Sequence, residues 1–207
     1  MKPIAPFNRY DGSAAADNEV VMPSDELRAN VLNVCVSELL GRLEQFTTGD
    51  EGPHMYPWAE RFAMGYPLPR WQRDPKWELE RKARFIHSIW SGVDVGTHLV
   101  NDAWELEGTG ATLRYRELSQ ALLDGQQRLT ALEDYLYNRF AVPDARGVLR
   151  FWGDLPRAER RRFGHFHFAK ATISSWDEDL LLRAYRLRAV GGIPHDEQDL
   201  ARLPGAR

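Results

Sequence analysis

Cysteine is almost absent from this 207-residue chain, with Cys35 standing alone. A single thiol rules out an intramolecular disulfide and suits a reducing, cytoplasmic setting. Long apolar runs are missing too, so no segment reads as a membrane span, and no basic-then-apolar leader opens the chain. Nor is there an excess of positive charge. The formal net charge of −3 exerts no global pull on nucleic acid or an anionic membrane, so any such contact must come from a local patch. Metal-ligand spacing is lacking as well: His165 and His167 would share a strand face, but no third ligand accompanies them, and no metal centre is expected. What is present is a globular composition, 43% hydrophobic and 28% charged, enough for one domain with a substantial core. Seven Trp, seven Tyr and nine Phe supply a packed interior or an aromatic-lined cleft.

The most informative stretch is Leu122-Leu123-Asp124-Gly125-Gln126-Gln127-Arg128-Leu129-Thr130-Ala131-Leu132. Leu118 to Leu123 reads as a short strand, while Leu129, Leu132, Leu136 and Phe140 recur at helical spacing. Asp124 sits where a helix cap belongs, and Gln127 three residues later completes a capping box. A helix start of this kind presents free N–H groups and the positive end of the helix dipole to an anion. Arg128 adds a charge able to grip phosphate or carboxylate bidentately, and Gln126 and Gln127 can each donate and accept. The same pattern also suits a plain core helix whose Arg128 pairs with a neighbouring acid.

Elsewhere, residues 1–22 read as a flexible arm and 23–207 as a single domain. Ser24 is expected to cap a helix running to about Phe46, with Leu27, Val31, Val34, Cys35, Leu39, Leu43 and Phe46 as its apolar stripe. His54 to Arg73 is rich in proline and aromatics, hence extended or turned. Alternation there places Arg70 and Gln72 on one side, Trp71 and Arg73 on the other. Extended backbone that brings Arg70, Gln72 and Arg73 near one another can line a polar cleft, or leave an arginine stacked on Trp71 or Trp77. Trp77 to Ser91 reads as a helix with Leu79, Ala83, Ile86 and Trp90 inward, followed by a strand at Thr97–Val100 and a shorter one at Leu113–Tyr115. Val148–Trp152 and Phe163–Ile173 read as further strands. Between them a short helix carries Arg157, Arg160, Arg161 and Arg162, a local basic patch that suits either a phosphate-rich partner such as nucleic acid or a solvated face. Asp177 begins a last helix that ends at Gly191-Gly192. The sum is an α+β fold: a small mixed β-sheet flanked by helices, with N-terminal and C-terminal helical additions.

The central stretch resembles the signature of the N-terminal domain family of GmrSD-type modification-dependent restriction endonucleases, distant relatives of the ParB/sulfiredoxin-like fold. Pro69-Arg70-Trp71-Gln72-Arg73, then Trp77, then Phe85-Ile86-His87-Ser88-Ile89-Trp90-Ser91-Gly92 look like that family's opening motif and helix. A weaker similarity continues from Tyr185 to His195, so the resemblance covers about residues 66–200. It implies nucleotide binding and, in some relatives, hydrolysis of a nucleoside triphosphate with Mg2+ in phage defence. Carried onto this chain, it implies ligand binding by Arg70, Gln72, Arg73, Gly125 and Arg128. Asp124, Gln126 and Gln127 would position the attacking water, or Asp124 would hold a magnesium-bound one. The family commonly has an Asn two positions before the Gly pair, where this chain has Ala189. Full restriction enzymes of this type carry a separate nuclease domain with a His/Asn metal centre. No such constellation is visible here, so independent nuclease action is not expected. The alternative is a non-catalytic regulator that binds DNA or a protein partner and keeps the motif for structure. A nucleotide-switched DNA clamp would need a helix-turn-helix that residues 141–207 do not display.

Overall fold

The computed structural model describes residues 22–49 and 51–190; all but Met22 of the arm, and the Gly191-Gly192 corner, lie outside them. In chain order the elements are β1 (Asn30–Leu32), α1 (Val36–Thr48), the pair β2 (Phe62–Ala63) and β3 (Tyr66–Pro67), α2 (Leu79–Trp90), β4 (His98–Asn101), the pair β5 (Leu106–Glu107) and β6 (Arg114–Tyr115), β7 (Leu122–Asp124), α3 (Gln126–Leu136), the pair β8 (Val142–Pro143) and β9 (Leu149–Arg150), α4 (Arg157–Gly164), β10 (Lys170–Ile173) and α5 (Glu178–Val190). Four strands form the main sheet in the order β1-β10-β4-β7. β10 runs parallel to β4, while β1 and β7 are antiparallel to their neighbours. The result is the expected α+β architecture around a small mixed sheet.

The strands are short, but the sheet's central strands are covered on both faces. Because successive side chains alternate across a strand, Val100 and Leu122 enter a core built with Leu39, Ile86, Ile89, Leu132 and Phe163 from α1–α4. Leu99, Leu123, Ala171 and Ile173 enter the opposite core, closed by Leu181, Leu182 and Tyr185 of α5 and by Met55, Tyr56 and Trp71. Two-sided burial explains why Ala121-Leu122-Leu123 is continuously apolar instead of alternating; each buried leucine stabilises the fold by about 1.5–3 kcal/mol. α5 begins as expected, with Asp177 Oδ1 accepting the N–H groups of Asp179 (3.0 Å) and Leu180 (3.3 Å). Among the described residues no helix is long and apolar enough to cross a membrane.

Several expectations need correction. The helix projected from Ser24 starts only at Val36, because Asn30–Leu32 pairs with β10 as an edge strand and Cys35 is the N-cap. Phe168 N–H donates to Val34 O (3.0 Å) and Val36 N–H to Phe166 O (2.8 Å), so distant backbone satisfies groups that a longer helix would have satisfied locally. On α2 the buried side is Phe85, Ile86 and Ile89, whereas Leu79, at the first position, is 60% exposed. The strand projected over Phe163–Ile173 is confined to its last four residues, and Trp152 lies in a 3₁₀ turn beyond β9. His165 is the C-cap of α4, while His167 bridges to Cys35 and its Nδ1 sits 3.0 Å from Asn33 Oδ1. The two histidines therefore have separate structural places.

Candidate functional site

β7 carries Asp124 to the sheet end and Gly125 turns the chain into α3. Gly125, at φ 100°, is the N-cap itself, and no side chain caps the helix. A Cβ at this position would lie 2.7 Å from His98 Cβ, so both the left-handed backbone and the neighbouring strand require glycine. The capping box expected of Asp124 and Gln127 does not form. Asp124 Oδ2 accepts instead from Arg188 Nε (3.0 Å) and Arg128 Nη2 (3.2 Å), since guanidinium donors outcompete neutral N–H groups for a carboxylate. Gln127 Oε1 accepts from the N–H groups of Lys76 (2.8 Å) and Trp77 (3.0 Å), tying the segment before α2 to the start of α3.

Arg128 is committed mainly to structure. Its Nη1 donates to Val95 O and its Nη2 to Thr97 O, both at 2.9 Å. Arg188 reaches the same place from α5, donating to Thr97 O (2.8 Å) and to Thr97 Oγ1 (3.0 Å). Burial pulls the Arg128 guanidinium below its ordinary pKa, with Asp124 opposing and Arg188 adding to that effect. Two arginines from distant helices thus fasten the loop leading into β4, with Asp124 bridging them.

A cleft of about 330 Å³ opens at this corner, lined by Gln72, Arg73, Trp77, Arg81, Asp124, Gly125, Gln126, Gln127, Arg128, Tyr185, Arg188 and Ala189. It gathers seven of the predicted site residues: Gln72, Arg73, Asp124, Gly125, Gln126, Gln127 and Arg128. Arg70 is excluded. It is exposed and lines an adjoining groove with Glu60, Arg61 and Asp74, which shares Gln72 and Arg73 with the cleft. The alternation that paired Arg70 with Gln72 fails because Gln72 N–H donates to Pro69 O (3.0 Å), making the segment a turn. Gln72 is buried and its Nε2 donates to the Leu122 carbonyl, so it pins this turn to β7. Trp71 donates to Glu178 Oε1 (3.2 Å) and packs on Tyr185 with ring centroids 5.0 Å apart. The arginine over Trp77 is Arg81, 4.7 Å from the ring centroid.

Sequence reasoning missed Arg81, Arg188 and His98 as parts of the site. For Arg188 a signal existed: it follows Leu181, Ala184 and Tyr185 on the core-facing side of α5, where an arginine demands an acid or carbonyls. His98 is fully buried between Tyr66 (5.9 Å) and Phe168 (5.0 Å); among the described residues neither ring nitrogen has a well-aligned hydrogen-bond partner, and only the Ala169 backbone is near enough to favour its charged form. Burial pushes its pKa down to about 3, with Arg128 and Lys170 adding to the effect; it stays neutral near pH 7 and is no acid–base catalyst there. Gln126 is only 5% exposed, and its buried Nε2 has no partner among the described residues.

Chemically, the described residues of the cleft set four guanidiniums against one carboxylate, that of Asp124, beside an uncapped helix start. That arrangement suits an anion with several oxygens. A protein-held metal does not fit: Asp124 is already shared by two arginines, and no group of three or more His, Cys, Asp or Glu among the described residues could hold one. No curated protein and no solved structure matches the chain. The family described as GmrSD restriction endonuclease, N-terminal domain, matches residues 59–188, a span that holds the cleft up to Arg188. The chain therefore belongs to the GmrSD restriction endonuclease N-terminal domain family, which relates it to restriction systems.

Proposed function

We propose that the cleft at Gly125 binds a nucleoside triphosphate and that the domain is the nucleotide-responsive part of a restriction system. The observation that carries this reading is Gln126: a buried amide whose Nε2 has no partner among the described residues, at a helix start that no side chain caps. An unsatisfied buried donor costs about 1–3 kcal/mol, and a phosphate or ribose oxygen arriving in the cleft would satisfy it. Arg73 and Arg81 hold phosphate oxygens, while Arg128 and Arg188 contribute field from the cleft wall with most of their donors already engaged. Trp77 and Tyr185 add aromatic surface to the lining, Trp77 with Arg81 over its ring and Tyr185 packed on Trp71. Mg2+ enters with the phosphates and not on a protein cage, as is usual for an ion that keeps most of its waters.

Among the three residues proposed to position water, Asp124 and Gln127 hold the frame and Gln126 alone keeps an uncommitted donor. Hydrolysis in this reading rests on Gln126. Titration calorimetry with each of the four ribonucleoside triphosphates and Mg2+ should give heat with at least one. Arg73→Ala should weaken that binding by roughly 10- to 100-fold, the value of a charge-assisted contact. Gln126→Ala should abolish phosphate release while the protein still melts cooperatively. No heat with any of the four at millimolar concentration would end the proposal.

A further inference from the structure

A second, larger cavity of about 630 Å³ lies at the other end of α2 and α3, between Trp90, Tyr135, the β8–β9 hairpin and α4. Its surroundings carry a charge opposite to that of the chain as a whole. Residues 142–164 contain six arginines (Arg146, Arg150, Arg157, Arg160, Arg161, Arg162) and three acids (Asp144, Asp154, Glu159). The segment is thus +3 within a chain of −3. All three acids are already engaged: Asp144 with Arg150 (3.1 Å), Glu159 with Arg162 (2.8 Å), and Asp154 with the N–H of Phe151 (3.0 Å). Among the described residues no carboxylate pairs with Arg146, Arg157, Arg160 or Arg161, and all four side chains are exposed.

Apolar groups are interleaved with these charges. In the run Arg146-Gly147-Val148-Leu149-Arg150-Phe151, Val148, Leu149 and Phe151 are 47%, 65% and 42% exposed. The cavity beside them has an apolar wall of Val142, Pro143 and Leu155. An acidic protein segment would use the arginines but would leave unused an exposed ring near a cavity that has one apolar and one charged wall. A nucleic-acid strand with unstacked bases uses both, placing phosphates on the guanidiniums and a base against aromatic or apolar surface. The cavity also falls within the size range of ligand pockets generally and has room for a nucleoside.

We infer that α4 and the β8–β9 hairpin form a binding face for single-stranded or locally unpaired nucleic acid. Phosphates sit on Arg146, Arg157, Arg160 and Arg161, a base stacks on Phe151, and the cavity receives a second base. The face is separate from the nucleotide cleft, so it stands whether or not that cleft binds a triphosphate.

Fluorescence anisotropy with a labelled 12-nucleotide oligodeoxythymidylate, across a salt series from 50 to 300 mM, tests this directly. Four phosphate contacts predict a log–log slope of about −3. Arg157→Ala/Arg160→Ala/Arg161→Ala should flatten that slope to about −1 and weaken binding by at least tenfold. Phe151→Ala should weaken binding by about tenfold with the slope unchanged, because stacking releases no counterions. Arg73→Ala should leave strand binding as in the wild type. All four altered side chains on this face are exposed, so unchanged melting curves will certify the fold. Binding that favours a duplex of the same length, equal binding of an oligoglutamate of matching charge, a triple variant that binds like wild type, or no binding at 50 mM salt would each overturn the assignment.

Discussion

Arg128 is where the structural and ligand-holding roles of the motif can be separated by experiment. In the folded protein its guanidinium ties two carbonyls of the loop before β4, Val95 O and Thr97 O, each at 2.9 Å, and touches Asp124 at 3.2 Å. Hydrogen bonds donated by a charged group contribute about 1.5–3 kcal/mol each. Asp124 is partly exposed and keeps Arg188, so loss of that ion pair adds at most about 1 kcal/mol. Water from the cleft would partly rehydrate the freed carbonyls, which leaves a net loss of about 3–4 kcal/mol for Arg128→Ala. In a domain of this size each kcal/mol moves the melting temperature by roughly 2–4 °C, so the variant should melt roughly 6–16 °C lower. Urea unfolding followed by tryptophan fluorescence reads the loss directly. Arg128→Lys should recover less than half, because one ammonium cannot span both carbonyls as the planar fork does. If Arg128→Ala stayed within about 1 kcal/mol of wild type while losing triphosphate binding, Arg128 would be a grip on the ligand and the tie described here would be wrong.

Three further outcomes follow from the same corner. Gly125→Ala must hold an alanine at φ 100° with its Cβ 2.7 Å from His98 Cβ. It should lose more than about 2 kcal/mol in urea unfolding, since left-handed backbone alone costs roughly 1–2; a loss below 0.5 would show that the strand yields easily. The folded-state pKa of His98, about 3, lies below the ordinary value of 6.5. Between those pH values the unfolded chain therefore binds the extra proton. This contribution to stability is fully present above pH 6.5 and falls as pH drops towards 3, by up to roughly 4 kcal/mol; His98→Leu should flatten that stretch of the stability–pH curve, and an unchanged slope would refute it. Arg188→Ala removes the donors that α5 sends to Asp124 and Thr97. Amide exchange should then speed up in the last turns of α5 and around Thr97, and undiminished protection at both places would contradict the bridge.

Much of this protein was legible in one dimension. The strand–glycine–helix corner, the α+β class, the Asp177 cap and the basic α4 all rest on short-range physics: helical spacing, side-chain capping and the special backbone of glycine. Leu27, Val31 and Val34 keep helical period, yet Asn30–Leu32 is a strand because it finds its hydrogen-bond partners in β10, some 140 residues later. The cleft shows the same division. Membership in the family and the chemistry of Asp124 to Arg128 were visible as a run of residues. Only folding revealed that Asp124 and Gln127 secure the frame, that Arg70 lines the groove adjoining the cleft, and that Arg188 arrives from 64 positions away. A local pattern records which groups a chain owns; which donor wins a given carboxylate is settled when packing brings the competitors to within 3 Å of it.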